Sequence, residues 1–143
     1  MTPLEFAKDV LATASALFDD ADLPSQRFAK WGEAVIDCES LIVAATGLTQ
    51  SPQPNCACGL ITLTVSLARG CADEANDDGT NNVEAIVAIS ESMEDDNEIL
   101  MTLTHTYVGL ESWSMNWIIT GGLAINALTL TMPLPCGPAT DGS

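Results

Sequence analysis

Within residues 58–68, CGLITLTVSLA, apolar and hydroxyl-bearing side chains alternate from Ile61 to Leu67. Successive side chains of a strand point to opposite faces, so this pattern predicts a strand with one buried face. Ile61, Leu63, Val65 and Leu67 form the apolar side; Thr62, Thr64 and Ser66 form the other, which is expected to be partly exposed or in contact with a partner. Residues 123–134, LAINALTLTMPL, repeat the pattern, with Leu128, Leu130, Met132 and Leu134 set against Thr129 and Thr131. Asn126 interrupts this segment and is read as a bulge. Residues 113–120, WSMNWIIT, are read as a further strand joined to it through a Gly121-Gly122 hairpin turn. Residues 34–45, AVIDCESLIVAA, begin with alternation and end as a buried run, again a strand. Arg27 to Trp31 fits neither period, and residues 47–55, with two prolines, are read as a loop.

Two helices complete the pattern. Thr2-Pro3-Leu4-Glu5 is a capping box with proline at the first helical position. Leu4, Ala7, Val10/Leu11, Ala14 and Leu17/Phe18 follow at helical spacing. Asp19, Asp20 and Asp22 oppose the macrodipole at the end of this helix. A second helix, capped by Asn81 or Asn82, carries Val83, Ile86/Val87, Ser90, Met93, Asn97, Leu100, Leu103/Thr104 and Tyr107 as its stripe. Glu91, Glu94, Asp95, Asp96 and Glu98 are placed on its solvent side, with a kink or split expected between Met93 and Asn97. The predicted fold is α+β: a largely antiparallel four-stranded sheet with two helices packed on one face, in the order α-β-β-α-β-β. One domain over residues 1–135 is expected, followed by a flexible tail over 136–143.

The chemical inventory is narrow. Four basic side chains (Lys8, Arg27, Lys30, Arg69) and one histidine (His105) face 20 acidic ones, for a formal net charge of −16 on 143 residues. General acid–base catalysis, phosphate clamping and nucleophile activation draw on groups that are nearly missing here. His105 sits in a Leu/Thr stripe near a helix end and is read as structural. Paired acids such as Asp77-Asp78 and Asp95-Asp96 have no apolar pocket in the sequence pattern to raise a pKa, so no catalytic residue is predicted. No phosphate-loop, dinucleotide, zinc-protease or nucleophile-elbow motif occurs. Cys56-Ala57-Cys58 lacks a second ligand pair, and Asp73, Asn76 and Asp77 miss the alternate positions of a calcium loop, so neither a metal nor a cofactor is expected. The odd set Cys38, Cys56, Cys58, Cys71 and Cys136, with no basic-then-apolar start to the chain, predicts reduced thiols. Hydrophobic residues make up 47% of the chain, which argues for a packed core rather than acidic disorder. No apolar run approaches a membrane helix in length, so no membrane contact is expected.

The acids cluster: eight precede residue 40, ten lie between Asp73 and Glu98, and two follow. Such a surface repels phosphates and speaks against DNA readout. It suits a solvated face, or a surface past which DNA must move without being held.

The layout resembles the tail terminator (tail completion) proteins of long-tailed bacteriophages, in particular small acidic neck proteins of phages of actinobacteria. The likeness runs over residues 3–135 and is carried by Trp31–Leu41 (WGEAVIDCESL), Leu60–Ala72 and Gly121–Leu134, with the W-x-x-x-W strand closing onto A-L-T-L-T-M-P-L. The acidic segments are heavier than that family's pattern leads one to expect. The resemblance implies a structural virion protein, not an enzyme. It would assemble in the host cytoplasm as a hexameric ring in the viral neck, capping the major tail tube protein and meeting head-completion, stopper or connector proteins. Six copies would carry a charge of about −96, and a lumen lined by part of it would let DNA slide through. Asp73, Glu74, Asp77 and Asp78 are the candidate lumen residues; Trp113, Thr62, Thr64, Thr129 and Thr131 are the candidate interface. Trp117 is expected in the core. The alternatives are another neck component such as a stopper, a tail tube subunit, or an acidic DNA mimic that occupies a basic protein. Oligomeric state separates the mimic, a monomer or dimer, from the ring.

Overall fold

A computed structural model describes residues 2–18, 23–24, 26–32, 40–49, 57–69, 83–107, 109–120 and 123–135. Helix α1 spans Pro3–Ala16. Strands β1 (Gln26–Trp31), β2 (Ser40–Thr49) and β3 (Ala57–Arg69) follow. Helix α2 (Val83–Met101) and a single turn, α3 (Leu103–Thr106), lead into β4 (Ser112–Thr120) and β5 (Leu123–Pro135). The strands form one mixed sheet in the order β1-β2-β3-β5-β4.

The capping box forms in full. The Thr2 hydroxyl accepts from the Glu5 amide at 3.1 Å, and the Glu5 carboxylate accepts from the Thr2 amide at 2.9 Å. Two of the first-turn N–H groups that a helix leaves orphaned are thereby satisfied. α1 then buries Phe6, Ala7, Val10 and Ala14. This stripe is rotated toward Phe6, leaving Leu4 and Leu11 half-buried.

Helices and sheet meet on one face. Leu41, Val43 and Ala45 of β2, Ile61, Leu63, Val65 and Leu67 of β3, and Leu128, Leu130, Met132 and Leu134 of β5 join the α1 residues, Leu100 and Leu103 in one core. The alternation of β3 and β5 read from sequence is therefore the alternation of the fold: Leu63 lies opposite Leu130 and Val65 opposite Leu128. Each such side chain contributes roughly 1.5–3 kcal/mol by leaving water. β3 carries a bulge between Ala57 and Leu60, where Gly59 takes φ +124°, a backbone region that disfavours side chains.

The expected four-stranded, largely antiparallel sheet in the order α-β-β-α-β-β is overturned by β1. This six-residue strand lies parallel to β2, with Gln26 opposite Ser40 and Trp31 opposite Ala45, and makes the sheet five-stranded and mixed. It escaped the period test because its large apolar residues, Phe28 and Trp31, fall on opposite faces of an edge strand. The strand expected over residues 34–45 is described from Ser40, residues 34–39 lying outside the described residues, and it runs on to Thr49 through a bulge between Ala45 and Gly47. Gly47, Leu48 and Thr49 thus belong to a strand and not to the expected loop. The long helix breaks at Thr102, not between Met93 and Asn97. Asn126 is no bulge; β5 stays in register through it on both sides.

The Asn81/Asn82 cap, the Gly121-Gly122 turn, the 136–143 tail, Cys38, Cys56, Cys71 and Cys136 lie outside the described residues. Among the described residues no helix is long and apolar enough to cross a membrane.

Candidate functional site

Two arrangements stand out: a polar seam beneath α2, and the two rims of the sheet.

The seam lies on the helix-covered face. Arg69, at the end of β3, donates from Nε to Asp96 Oδ2 at 2.9 Å and from a terminal nitrogen to Asp96 Oδ1 at 3.2 Å. This is a bidentate, charge-assisted pair. The Asp96 side chain is 7% exposed and that of Arg69 22%. Asp96 was placed on the solvent side with its acidic neighbours; instead it faces inward, while Glu91, Glu94, Asp95 and Glu98 are exposed. Its inward turn follows from helical spacing: Met93, Asp96 and Leu100 lie three and four apart, on one face. Beside the pair, the fully buried Asn126 donates from Nδ2 to the Met93 carbonyl at 3.1 Å, and its Oδ1 accepts no hydrogen bond. Trp117 Nε1 donates to Asn97 Oδ1 at 3.3 Å. These bonds fasten α2 to β3, β4 and β5.

A second contact ties α1 to the end of α3. The Phe6 and Tyr107 rings meet edge to face, centroids 6.1 Å apart. Burial pushes the Tyr107 phenol above its usual pKa, with the Asp9 charge adding to this and Thr13 opposing it. Its hydroxyl makes no hydrogen bond of ordinary geometry, so the Thr13 influence is weak and desolvation dominates. His105 is exposed, in the last turn of α3. Among the described residues, no group of histidine, cysteine and acidic side chains is arranged to hold a metal.

The rims differ from the centre in what they expose. Phe28 and Trp31 on β1, and Trp113, Trp117 and Ile118 on β4, are between 42% and 55% exposed. The placement of Trp117 in the core is therefore corrected: β4 is an edge strand, and α2 reaches the indole N–H without roofing the ring. In register, Trp113 pairs with Leu130 and Trp117 with Asn126, so both indoles lie on the helix-side face. Ile118 pairs with Ile125 on the other face. Trp31 pairs with Ala45, on the helix side, and Phe28 with Ile42, on the far side.

The candidate interface residues fall in two places. Thr62, Thr64, Thr129 and Thr131 come together on the far face of β3 and β5, where Thr62 lies opposite Thr131 and Thr64 opposite Thr129. The hydroxyls of Thr62 and Thr131 are 3.3 Å apart and bond to each other. Trp113 belongs to the opposite face, at the rim. The candidate lumen acids Asp73, Glu74, Asp77 and Asp78 lie outside the described residues. Sequence reasoning missed Phe28, Trp31 and Ile118 as exposed rim residues, and the one signal that could have found them is the poor periodicity of residues 26–31.

Charge divides between the rims. Arg27 and Lys30, two of the four basic side chains of the chain, sit on β1. Around β4, Glu111 is exposed at the strand entrance, and exposed Glu94 and Glu98 flank Asn97, whose side chain reaches Trp117. No protein-family model matches this chain, and no curated protein does either.

Proposed function

We propose that this chain is a structural assembly subunit of a bacteriophage neck, a tail-terminator-like protein that closes into a ring, hexameric in the family it resembles, on the end of the tail tube. The observation that carries this reading is the pair of unfinished rims: large aromatic side chains half-exposed on both edge strands of one sheet. Scattered single hydrophobics are normal on a surface, but here Trp113 and Trp117 share one face of β4, and among the described residues neither β1 nor β4 has a further strand beside it; exposed apolar edges of this kind mark contact sites. Two different rims on one subunit suit a head-to-tail contact, which generates rings when the rotation closes. A net charge of −16 is compatible with a passage for DNA that does not bind it. The ring would meet head-completion or connector proteins on its other side, within the virion.

Native mass spectrometry of the full chain, with and without purified tail tubes, tests the proposal. A closed ring alone, or one ring at one end of each tube, is the expected result. A monomer or dimer that ignores tubes and instead binds a basic protein would overturn it in favour of a DNA mimic.

A further inference from the structure

The two rims are complementary to each other. In the sheet order β1-β2-β3-β5-β4, β1 runs parallel to β2, β3 runs opposite to β2, β5 opposite to β3, and β4 opposite to β5. β1 and β4 therefore point in opposite directions. A second copy placed beside the first, with its helices on the same side, brings its β1 against β4 as an antiparallel pair.

The side chains agree with that placement. Directly opposite residues of an antiparallel pair share a face. On the helix side, Trp113 and Trp117 of β4 would meet Trp31 of the next copy's β1; on the far side, Ile118 would meet Phe28. Each of these five side chains is at least 42% exposed in the single chain. The charges agree as well. On the helix side, Arg27, which shares the face of Trp31 on β1, comes toward the exposed Glu94 and Glu98 that α2 displays beside the β4 rim. The β4 strand, SWSMNWIIT, has no proline and no charge across nine residues, so it lacks the devices that keep edge strands from pairing. Lys30, on the far face of β1 with Phe28, guards β1 against another β1.

We infer that β4 of one copy pairs antiparallel with β1 of the next, continuing one sheet from subunit to subunit. This rests on the reading of the chain as an assembly subunit and specifies its contact. The competing self-contact, β4 against β4 about a two-fold axis, would bring Glu94 and Glu98, beside the middle of β4, toward their own copies, and like charges across an interface oppose association. The β4–β1 contact is heterologous, and sheet twist turns each copy relative to the last, so its product is a ring or a helical row.

Two single substitutions test it in the full-length protein: Phe28→Glu on β1 and Ile118→Glu on β4. Both sites are exposed, so unchanged circular dichroism and thermal unfolding are expected for each. Each variant alone should lose every species above the monomer in native mass spectrometry, since an added carboxylate blocks one rim. Mixed one to one, they should form a heterodimer and nothing larger, because the intact β4 of Phe28→Glu can still accept the intact β1 of Ile118→Glu. Raising salt should weaken the wild-type assembly, as screened complementary charges require.

Rings that survive both substitutions would overturn the β4–β1 pairing and leave the ring reading standing. Loss of assembly in Ile118→Glu alone, with dimers in the wild type, would overturn it in favour of β4–β4 contact. A wild-type chain that stays monomeric at its highest soluble concentration both with and without tail tubes, or that captures a different protein on β4, would also overturn it. Open rows of wild-type chain that ignore tail tubes yet fall apart in both variants would uphold the pairing while overturning the ring.

Discussion

α1 and α2 lie on the same face of one sheet but are held there by different physics. α1 is attached by shape: Phe6, Ala7, Val10 and Ala14 are buried against aliphatic strand residues. α2 also buries Met93 and Leu100, but beside them it makes directed bonds, Asp96 to Arg69, the Met93 carbonyl to Asn126 and Asn97 to Trp117. Apolar docking is non-directional and tolerates small slides. Charge-assisted and amide bonds do not, because a slide of one residue breaks each of them. The difference teaches that α1 supplies mass to the core while α2 is set in a defined position. That position is next to the β4 rim, where Glu94 and Glu98 are displayed.

The largest effect should come from the side held by shape. Phe6→Ala removes a ring that is 7% exposed and set edge to face with Tyr107. Large-to-small changes of this kind cost about 3–5 kcal/mol. Urea unfolding should show a lower midpoint with an unchanged slope. A loss under about 1 kcal/mol would mean that α1 is not part of the cooperative core.

The second effect sharpens the contrast. Asp96→Ala leaves the Arg69 guanidinium under α2 without its carboxylate. Breaking a buried pair from one side costs about 3–5 kcal/mol, and the partial exposure of Arg69 brings the expected loss down to about 2 kcal/mol. Replacing both members, Arg69→Met with Asp96→Leu, should restore most of it, since no charge is then left unpaired. If the double variant is as unstable as the single one, the seam is not acting as an ion pair. Smaller again is Asn126→Leu. It removes a buried Oδ1 that has no partner, while the Met93 carbonyl keeps its place inside a regular helix. A change within about 1 kcal/mol, toward greater stability, is expected. A large loss would show that the amide positions α2 and is not merely tolerated beneath it.

The same contrast explains what could be read from the chain. Shape-based packing leaves a periodic trace, so the β3 and β5 faces and the α1 stripe are visible in sequence as Leu63, Leu130 and Val10 recurring on schedule. Directed bonds leave none. Asp96 sits between Asp95 and Asn97 in an acidic run, and nothing local separates the buried acid from its exposed neighbours. Only Asn126, a lone amide within an apolar alternation, and Arg69, a rare cation at a strand end, hint that something polar lies above them. β1 was illegible for a related reason. An edge strand exposes both faces in part, so QRFAKW owes no period to a core, and its parallel pairing with β2 is a long-range fact. Trp117 misled in the other direction: tryptophans four apart on a strand face look like core, and whether a helix roofs them depends on where the strand falls in the sheet order.

The smallest effect concerns the start of α1, where a directed device serves the helix held by shape. Hydrogen bonds from the Thr2 backbone and side chain hold the Glu5 carboxyl below its usual pKa, ahead of a small opposing effect of burial and minor attractions to the N-terminus and Lys8. A carboxyl whose folded pKa is depressed gives stability that is present above its unfolded pKa and is lost as pH falls through the folded value. Acid should therefore loosen the first turn of α1 as Glu5 protonates and its carboxylate stops accepting from the Thr2 amide. The buried stripe should stay docked, because Phe6, Val10 and Ala14 carry no titratable group. Amide exchange in the first turn, followed across the carboxylate range, should quicken toward low pH relative to the intrinsic rate, while the amides of Val10 to Ala14 keep their protection. Glu5→Gln should remove most of that pH dependence but retain part of the cap, since a glutamine oxygen still accepts from the Thr2 amide. Equal loss of protection along the whole of α1 would contradict the contrast, for it would mean that a surface cap, and not the buried stripe, sets how firmly this helix is held.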